Sequence, residues 1–363
     1  MKRILPAVLL ILFFWGRADA RELPGRGLFV SVIQDPPVLN DRAAIEELIR
    51  FSVRSRVKVL FVQVYRANKS WFPSRVADPE PYRVSFQKTG TDALALLIRK
   101  AHAEGIEVHA WFNVLSLSTN EDAPVLKKYG SGILTRNTAP KNSIRDYRID
   151  NQYFLEPGDP RVGHFLSEVV AEALRAHPDL DGVQLDYIRY PDTHPAYGHT
   201  AVNLARFRKA TGLPEAHEED PVWKQWKYDQ VTSLVKRLRG VALKIHPGIR
   251  FSTTGLMPYS RASLEAFQDW KQWLDTGLAD FVTLMCYTDD MTAFKKYLAN
   301  AGKTIELKRV NIAIAAEKLH RHPEVFREQL EACEEASPRA CVMLHYGDLS
   351  ENPALAEPLL SGK

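Results

Sequence analysis

The sequence predicts an α/β protein built as a single (β/α)8 barrel, or TIM barrel, with insertions in the loops after strands 3 and 4. Eight short runs rich in β-branched and aromatic residues alternate with longer stretches of helical periodicity, the pattern of repeated βα units around a parallel sheet. No Gly/Ser-rich or Pro-rich linker divides the chain. A two-domain organisation, the other expectation from 363 residues, is therefore disfavoured.

The predicted elements alternate along the chain, and each helical stretch returns the chain for the next strand. The predicted strands are Leu28–Ile33, Val57–Tyr65, Ile106–Val114, Gly182–Ile188, Ile249–Thr254, Phe281–Tyr287, Val310–Ala315 and Cys341–Tyr346. The predicted helices are Asp41–Arg56, Thr91–Glu104, Asp159–His177, Pro221–His246, Ser263–Leu278, Thr292–Ala301, Pro323–Glu335 and Pro353–Leu360.

The N-terminal segment has the pattern of a cleaved export signal. Lys2 and Arg3 precede an apolar run over Ile4–Trp15, and small residues then stand where a signal peptidase cleaves. The run is shorter than the roughly 20 residues of a comfortable membrane span. We expect residues 1–20 to be removed and residues 21–363 to form a secreted or periplasmic barrel with no stable membrane span. An uncleaved anchor is the alternative.

Composition and charge narrow the expected partners. The 48 basic and 44 acidic residues give a formal charge of +4 without a long basic run, so a nucleic-acid partner is not expected. The sequence predicts no cofactor and no metal, and it does not indicate an oligomeric state. Cys333 and Cys341 are the only cysteines close in sequence, and they form either a disulfide or two small core residues.

The alternation of side chains along each strand predicts which residues face the barrel axis. In strand 4 the apolar set, Val183, Leu185 and Tyr187, suits the helix layer, which leaves Gln184 and Asp186 pointing inward. The full inward set that this reasoning predicts is Gln63, Tyr65, His109, Trp111, Asn113, Gln184, Asp186, Ile188, Met285, Tyr287, Met343 and His345. Polar and aromatic groups are therefore expected to collect on the axis.

Asp186 is the strongest candidate for a catalytic residue. Active sites of these barrels lie at the carboxyl ends of the strands, and Asp186 comes late in strand 4 with inward parity. A carboxylate in a barrel interior is costly unless it is paired or functional, so an ion pair with Arg189 or Arg66 is the structural alternative. Asp181 and Asp280 begin their strands and belong to the opposite face.

Glycoside hydrolysis needs two carboxylic groups that flank the scissile bond. Glu317 follows strand 7 with inward parity, whereas Asp289 and Asp290 follow strand 6. Each has a structural alternative: Glu317 as a solvated charge at the start of a helix, and the aspartates as an N-cap pair for the next helix. Parity and spacing do not choose between them.

Sugar recognition needs flat apolar faces together with planar hydrogen-bonding groups, and the strand ends offer both. The candidate aromatic platforms are Trp71, Trp111, Tyr190, Tyr259 and Tyr287. The candidate polar contacts are Arg66, Asn113, Arg189 and His345. For any single aromatic residue core packing is the better explanation, so the prediction depends on the whole set.

Several blocks resemble the glycosyl-hydrolase-like 10 family, an older domain of unknown function. They are DGVQLDYIRYP at residues 181–191, AWFN at 110–113, FVQVYRANKSWFPS at 61–74, YGHTAVNLARFRKATG at 197–212, WKQWKYDQVTSLVKRLR at 223–239 and DWKQWLDTGLADFVTLMCYTDD at 269–290. The blocks occur in the family's order and cover most of the mature chain.

The resemblance implies a TIM-barrel glycosidase of bacterial envelopes, with members linked to cleavage of glycan strands such as those of peptidoglycan. The positions that fall on the family's motifs are Asp186, Tyr187, Arg189, Arg66, Trp111, Asn113, Tyr287 and Asp290. Glu317 departs from the pattern, because a Gly-rich stretch is expected after strand 7. The resemblance therefore favours Asp290 over Glu317 as the second acid.

The leading functional hypothesis is an exported glycoside hydrolase with Asp186 as one member of the carboxylic pair. A non-catalytic glycan-binding barrel is the main alternative, because no partner acid is unambiguous. A metal-dependent hydrolase, such as a polysaccharide deacetylase, would need clustered ligands. His109 and His345, on distant strands, are weak support for it.

Overall fold

The computed structural model describes residues 25–192 and 196–361. The predicted export signal over residues 1–20 lies outside the described residues. Within the described part of the chain, no helix is both long and apolar enough to cross a membrane.

Eight parallel strands form a closed barrel, which confirms the predicted fold class. They are β1 (Gly25–Val30), β2 (Val57–Arg66), β3 (Glu107–Asn113), β4 (Gly182–Asp186), β5 (Arg250–Leu256), β6 (Phe281–Met285), β7 (Val310–Ala315) and β8 (Ala340–Leu344). Each strand pairs with the next, and β1 pairs with both β2 and β8. Because the first strand is bonded to the last, the barrel has no open edge.

The helices surround this barrel. They are α1 (Arg42–Arg54), α2 (Glu80–Thr89), α3 (Ala93–Ala103), α4 (Pro124–Tyr129), α5 (Pro160–Ala176), α6 (Ala201–Thr211), α7 (Pro221–Ile245), α8 (Tyr259–Leu264), α9 (Trp270–Asp275), α10 (Met291–Thr304), α11 (Pro323–Ala336), α12 (Tyr346–Glu351) and α13 (Pro353–Leu360). Many begin with a side-chain cap, as Asp159 and Asp220 do before α5 and α7.

Four of these helices, α2, α4, α6 and α12, lie where the sequence predicted none. The single helix predicted over Ser263–Leu278 is divided into α8 and α9. Phe267, between them, has a left-handed backbone with φ 53°, which an α-helix cannot accommodate.

The barrel interior below the mouth is filled by side chains rather than by solvent. Phe29, Phe61, Trp111 and Phe281 form its apolar layer, and the Phe29 ring lies 4.8 Å from Trp111 and 5.0 Å from Phe61. A separate and larger apolar core lies between the strands and the helices. The two cores fix the strand ends, and therefore the groups that these ends carry.

Strand parity was predicted incorrectly at three places. Tyr65 packs outward against Phe112 because a register shift between Gln63 and Tyr65 reverses the alternation. In β8, Leu344 contacts the inner layer and Met343 belongs to the outer core. His345 still reaches the mouth because the strand has ended before it.

The third place is the end of β4. Ile188 belongs to the outer core, and Tyr187, predicted outward, turns into the mouth. The strand stops at Asp186, and Tyr187 has a left-handed backbone with φ 52°, so the two-residue alternation no longer applies.

The loops after β3 and β4 carry the predicted insertions. Residues 114–159 include α4 and a small antiparallel pair, Ser116–Ser118 with Tyr153–Phe154. The chain between β4 and α7 includes α6. The loop after β2 is also extended, with a two-residue strand at Lys69–Ser70 followed by α2, which the sequence did not predict.

Of the two possibilities for the cysteine pair, the structure has the disulfide. Cys333 in α11 is bonded to Cys341 in β8, with a separation of 8 residues. Cys286 is a free, fully buried thiol.

Candidate active site

A cavity of about 490 Å³ opens at the carboxyl ends of the strands. Its lining includes nine of the predicted site residues: Arg66, Trp111, Asn113, Asp186, Tyr187, Arg189, Tyr287, Glu317 and His345. The structure therefore brings together residues from strands 2, 3, 4, 6, 7 and 8 or the loops that follow them. Asp290, which the family resemblance favoured as the second acid, does not line this cavity.

Asp186 is held at the last position of β4 by three hydrogen-bond donors. Its Oδ1 accepts from Thr254 Oγ1 at 2.7 Å and from the Tyr187 amide at 2.8 Å. Its Oδ2 accepts from Trp111 Nε1 at 3.2 Å. An ionised carboxylate is an acceptor only, so all three bonds suit its charged form. The side chain is buried but lines the cavity.

The register of the strands explains how these partners meet. Asn113 of β3 lies beside Asp186, and Trp111 precedes Asn113 by two residues on the same inward face. Thr254 reaches the carboxylate from β5 on the other side of β4. Neighbouring parallel strands that end at one level thus build the Asp186 pocket.

Tyr287 lies near Asp186 and Glu317, two of the four acids that line the cavity. Burial raises the pKa of its phenol well above the ordinary value, and the negative charges of Asp186 and Glu317 raise it further. Both carboxylates therefore lie close enough to act on this ring. Tyr287 consequently stays protonated at neutral pH and can donate a hydrogen bond into the cavity.

Glu317 is a carboxylic group that lines the same cavity as Asp186. It lies in the single 3-10 turn Ala316–Lys318 directly after β7 and is solvent-exposed. Among the described residues it forms no hydrogen bond or ion pair. Its side chain is thus available to a bound molecule.

Asp290 has a different position from the one that the family resemblance suggested. Its carboxylate accepts from the Ala293 amide at 2.5 Å and caps the N-terminus of α10. Both Asp289 and Asp290 are exposed and lie outside the cavity lining. The capping role, which was the structural alternative for this pair, is what the structure displays for Asp290.

An amide pair forms part of the wall between β1 and β3. Gln63 Nε2 donates to Asn113 Oδ1 at 3.2 Å, and Gln63 Oε1 lies 3.3 Å from Ser31 Oγ and 3.2 Å from the Val32 amide. Both amides are nearly buried. The bond from Gln63 fixes the orientation of Asn113, which lines the cavity.

A cationic wall adjoins Asp186. The Arg189 guanidinium lies 4.7 Å from the Tyr187 ring centroid, and its Nη1 is 3.3 Å from Asp192 Oδ1. Asp192 Oδ2 is in turn 2.5 Å from Arg261 Nη2. Burial raises the pKa of Tyr187, as does the charge of Asp186, whereas Arg189 and Arg66 act in the opposite direction.

Several sequence candidates lie elsewhere. Tyr190 is buried and donates to Glu156, and Tyr259 donates to Asp269. Trp71 does not line the cavity, and His109 packs beside Phe61 in the barrel interior. Within residues 25–192 and 196–361, no three His, Cys, Asp or Glu side chains are grouped as metal ligands.

The sequence analysis did not identify several other residues that line the cavity or bind Asp186. Thr254 is the last residue of a predicted strand, and its inward parity was a usable signal. Asp150, Gln152 and Phe154 come from the insertion after β3, Asp192 comes from the loop after β4, and Arg261 comes from the short helix α8. These five residues lie outside the barrel strands, so strand periodicity gave no comparable signal for them.

A closed (β/α)8 barrel with acids, arginines and aromatic rings at its mouth defines the class as a TIM barrel like those of glycoside hydrolases. Residues 26–317 match the family described as glycosyl hydrolase-like 10. This chain therefore belongs to the glycosyl hydrolase-like 10 family.

Two relatives from bacteria extend this comparison. Glycosyl hydrolase DigH of Escherichia coli strain K12 is 22% identical over 303 residues, which cover 73% of this chain and 65% of the relative. Glycosyl hydrolase YngK of Bacillus subtilis strain 168 is 22% identical over 251 residues, covering 64% of this chain and 46% of the relative. The match thus spans less than two thirds of either relative.

Solved structures share the fold. The glycoside hydrolase domain of PgaB (BpsB) from Bordetella bronchiseptica has a TM-score of 0.72 and 17% identity, covering 93% of this chain and 99% of that domain. The catalytic domain of β-amylase from Paenibacillus polymyxa has a TM-score of 0.58 and 12% identity, over 93% and 98% of the two chains. At these identities the likeness concerns the fold.

Proposed function

We propose that this protein is an exported glycoside hydrolase that cleaves a polysaccharide glycan of the bacterial envelope, with Asp186 and Glu317 as its carboxylic pair. The observation that carries the proposal is the pairing itself. Asp186, held by three donors, shares one cavity with an unpaired Glu317, and Tyr287 lies close to both. Two carboxylic groups beside one sugar-sized cavity are what glycosidic bond hydrolysis needs.

The surroundings of the two acids support different roles for them. All the hydrogen bonds of Asp186 come from donor groups. It therefore suits the charged member of the pair, which is the nucleophile or the base that activates water. Glu317 is exposed and forms no hydrogen bond or ion pair among the described residues, so its side chain is free to reach the leaving oxygen, and we assign it the role of the acid. Tyr287 supplies a neutral hydroxyl near both acids.

The rest of the cavity supports a glycan as the ligand. The rings of Trp111, Tyr187 and Tyr287 offer faces for sugar C–H groups. Asn113 and the arginines offer hydrogen bonds to hydroxyl groups. Peptidoglycan glycan strands are the substrate that we infer from the family, whose members are linked to such strands.

The disulfide supports export. Disulfides persist in oxidising compartments such as the bacterial periplasm and are rare in the cytosol. A bond between Cys333 and Cys341 suits a protein whose N-terminal segment has the pattern of an export signal.

The test compares three variants on purified peptidoglycan glycan strands, with released reducing ends as the measurement. Asp186→Asn and Glu317→Gln should each lower the cleavage rate about a thousandfold, which corresponds to about 4 kcal/mol of barrier at 1.36 kcal/mol per factor of ten. Asp290→Asn is the matched control, because asparagine also caps helices, and it should cleave at the wild-type rate.

Each alternative has its own result. An unchanged rate in Asp186→Asn would remove this residue from the mechanism. Activity lost in Asp290→Asn but kept in Glu317→Gln would restore Asp290 as the second acid. If the wild type binds the glycan strands but releases no product, the protein is a glycan-binding barrel and not an enzyme.

A further inference from the structure

His345, at the rim of the cavity, is held in one ring orientation by its own backbone neighbours. We propose that it presents a neutral Nε2–H to the bound glycan as a substrate-positioning donor, and that Gly347 and Asp348 are the positioning residues that keep it so. The inference rests on the proposed function, because it names the part that this histidine has at the same site.

The first contact fixes the position of the ring proton. His345 is the N-cap residue of α12, and its Nδ1 accepts from the Gly347 amide at 3.1 Å. A ring nitrogen that accepts a hydrogen bond is unprotonated, so in the neutral imidazole the proton lies on Nε2. With Nδ1 used by the cap, Nε2 is the nitrogen left for the cavity that His345 lines.

The second contact fixes the backbone. The His345 amide donates to Asp348 Oδ2 at 3.2 Å, and Asp348 Oδ1 is 2.6 Å from Nε2 of His320. Asp348 is almost fully buried, at 9% exposed. A buried carboxylate with a donor on each oxygen is rigid, and it anchors the residue that begins the helix.

The third contact is a close approach that only glycine permits. A Cβ on Gly347 would lie 2.9 Å from His345 Cε1, 3.0 Å from its Nδ1 and 2.8 Å from Gln34 Cβ. The ring therefore lies directly against the Gly347 backbone. Any larger residue at this position would push the imidazole away.

Capping alone does not explain a histidine here. Ser, Thr, Asp and Asn are the residues preferred at this position of a helix, and each would accept the same amide. An imidazole differs from them in carrying a second nitrogen on the far side of the ring. Because His345 lines the cavity and its side chain is only 17% exposed, the proposal assigns this second nitrogen to a molecule bound in the cavity.

A competing arrangement gives the proposal a sharp test. Asp348 Oδ2 also lies 3.3 Å from Nδ1, and a proton on Nδ1 could be donated to it. The Gly347 N–H and an Nδ1–H are both donors, so they cannot form a hydrogen bond with each other. The two tautomers are therefore exclusive and can be told apart.

The closing experiment has a spectroscopic arm that does not depend on catalysis. Long-range ¹H–¹⁵N spectra of the full chain labelled on histidine, at a pH of about 8, should show His345 with a bare Nδ1 and a protonated Nε2. The signal is assigned by its loss in His345→Asn. Gly347→Ala should shift or broaden it. A proton found on Nδ1 would overturn the proposal.

The second arm measures binding of peptidoglycan glycan oligosaccharides in the Asp186→Asn background, where cleavage cannot interfere. Adding His345→Asn keeps a capping oxygen but removes the distal donor, and we expect the Kd to rise about tenfold with an unchanged Tm. His322→Asn is the matched control: His322 is the N-cap residue of α11, makes no capping bond and lies outside the cavity, so the Kd should not move.

The two arms separate the two proposals. An unchanged Kd in His345→Asn overturns the role of this histidine and leaves the hydrolase proposal untouched. If no variant loses cleavage activity but His345→Asn still raises the Kd tenfold, the catalytic assignment is overturned and the role of His345 as a donor to the glycan is kept. If the oligosaccharides bind the Asp186→Asn protein neither with nor without His345→Asn, both proposals are overturned.

Discussion

At the scale of single residues, the three hydrogen bonds to Asp186 are the feature on which the proposed chemistry depends. Thr254 supplies the shortest of them from β5. Replacing it by the isosteric valine removes the donor without changing the shape. Bonds to charged groups contribute about 1.5–3 kcal/mol, so Thr254→Val should lower kcat/KM between about tenfold and a hundredfold in the glycan assay.

Thr253, the neighbouring residue, supplies the matched control. It is fully buried, and its hydroxyl has no hydrogen-bond partner among the described residues. Thr253→Val should leave kcat/KM unchanged and raise the free energy of unfolding by about 1 kcal/mol, because an unpaired buried hydroxyl is removed. Equal loss of activity in both variants would mean that β5 tolerates no valine, and the Thr254 contact would then carry no special weight.

Residue-level prediction from the sequence succeeded where regular strand geometry applied and stopped where it ended. Asp186, Trp111 and Asn113 follow the alternation and lie in the cavity as expected. Tyr187 does not, because its left-handed backbone turns the side chain after the strand has ended. The sequence offered helix capping as one role for Asp290. It could not show whether Asp290 reaches the cavity, because that depends on the path of the loop after β6.

At the scale of secondary-structure elements, Asp92 joins two helices. It caps α3 through the Ala95 amide at 2.9 Å and binds His177, at the end of α5, at 3.1 Å. Burial alone would raise the pKa of Asp92, but the His177 bond and the Ala95 amide lower it below the ordinary value. Its ionised form is thus the one that stabilises the folded protein.

This contact predicts a pH-dependent stability difference. Asp92→Ala loses the cap and leaves buried His177 without that partner, so we expect a cost of about 2–3 kcal/mol at pH 7. Because the folded-state pKa is lowered, this contribution is present above the unfolded value near 4 and is lost as the pH falls through the folded value. Urea unfolding at pH 7 and at the lowest pH that keeps the fold measures it.

Asp41→Ala is the control for the cap alone. Asp41 accepts from the Ala43 amide at 2.8 Å and is exposed, with no ion pair among the described residues. The expected cost is about 1 kcal/mol. A gap between the two variants that stays constant at low pH would argue against the His177 bond as its source.

The elements themselves were largely predictable. All eight strands have their counterparts in the structure, since β-branched runs between helical stretches leave few alternatives. The helices α2 and α6 were missed because they lie in extended loops, and their apolar faces are weak: only Ser85 and Thr89 of α2, and Asn203 and Phe207 of α6, are buried. The register shift near Tyr65 has no signal in the sequence.

At the scale of the whole molecule, the disulfide gives a prediction about stability and compartment. Closing a loop of 8 residues should contribute about 2–3 kcal/mol by restricting the unfolded chain. A Cys333→Ala/Cys341→Ala variant should lose that amount in urea unfolding, and reductant should bring the wild type to the same level. The variant itself should not respond to reductant.

Thiol counting checks the same assignment. Burial raises the pKa of the Cys286 thiol, so the folded protein should not react with a thiol reagent. One thiol should react after unfolding without reductant, and three after unfolding with it. Three reactive thiols without reductant, in protein recovered from the periplasm, would contradict the bond.

The two ends of the described chain meet on the side of the barrel opposite the cavity. β1 begins there at Gly25, and Arg26 donates from Nη1 to the carbonyl of Leu359 in the last helix at 3.1 Å. A tether attached at Gly25 or at Ser361, the two ends of the described chain, would leave from the base of the barrel. If the protein is immobilised on a bead or a membrane through either of these ends, the cavity should face away from the support and stay accessible to a long polymer in the surrounding medium.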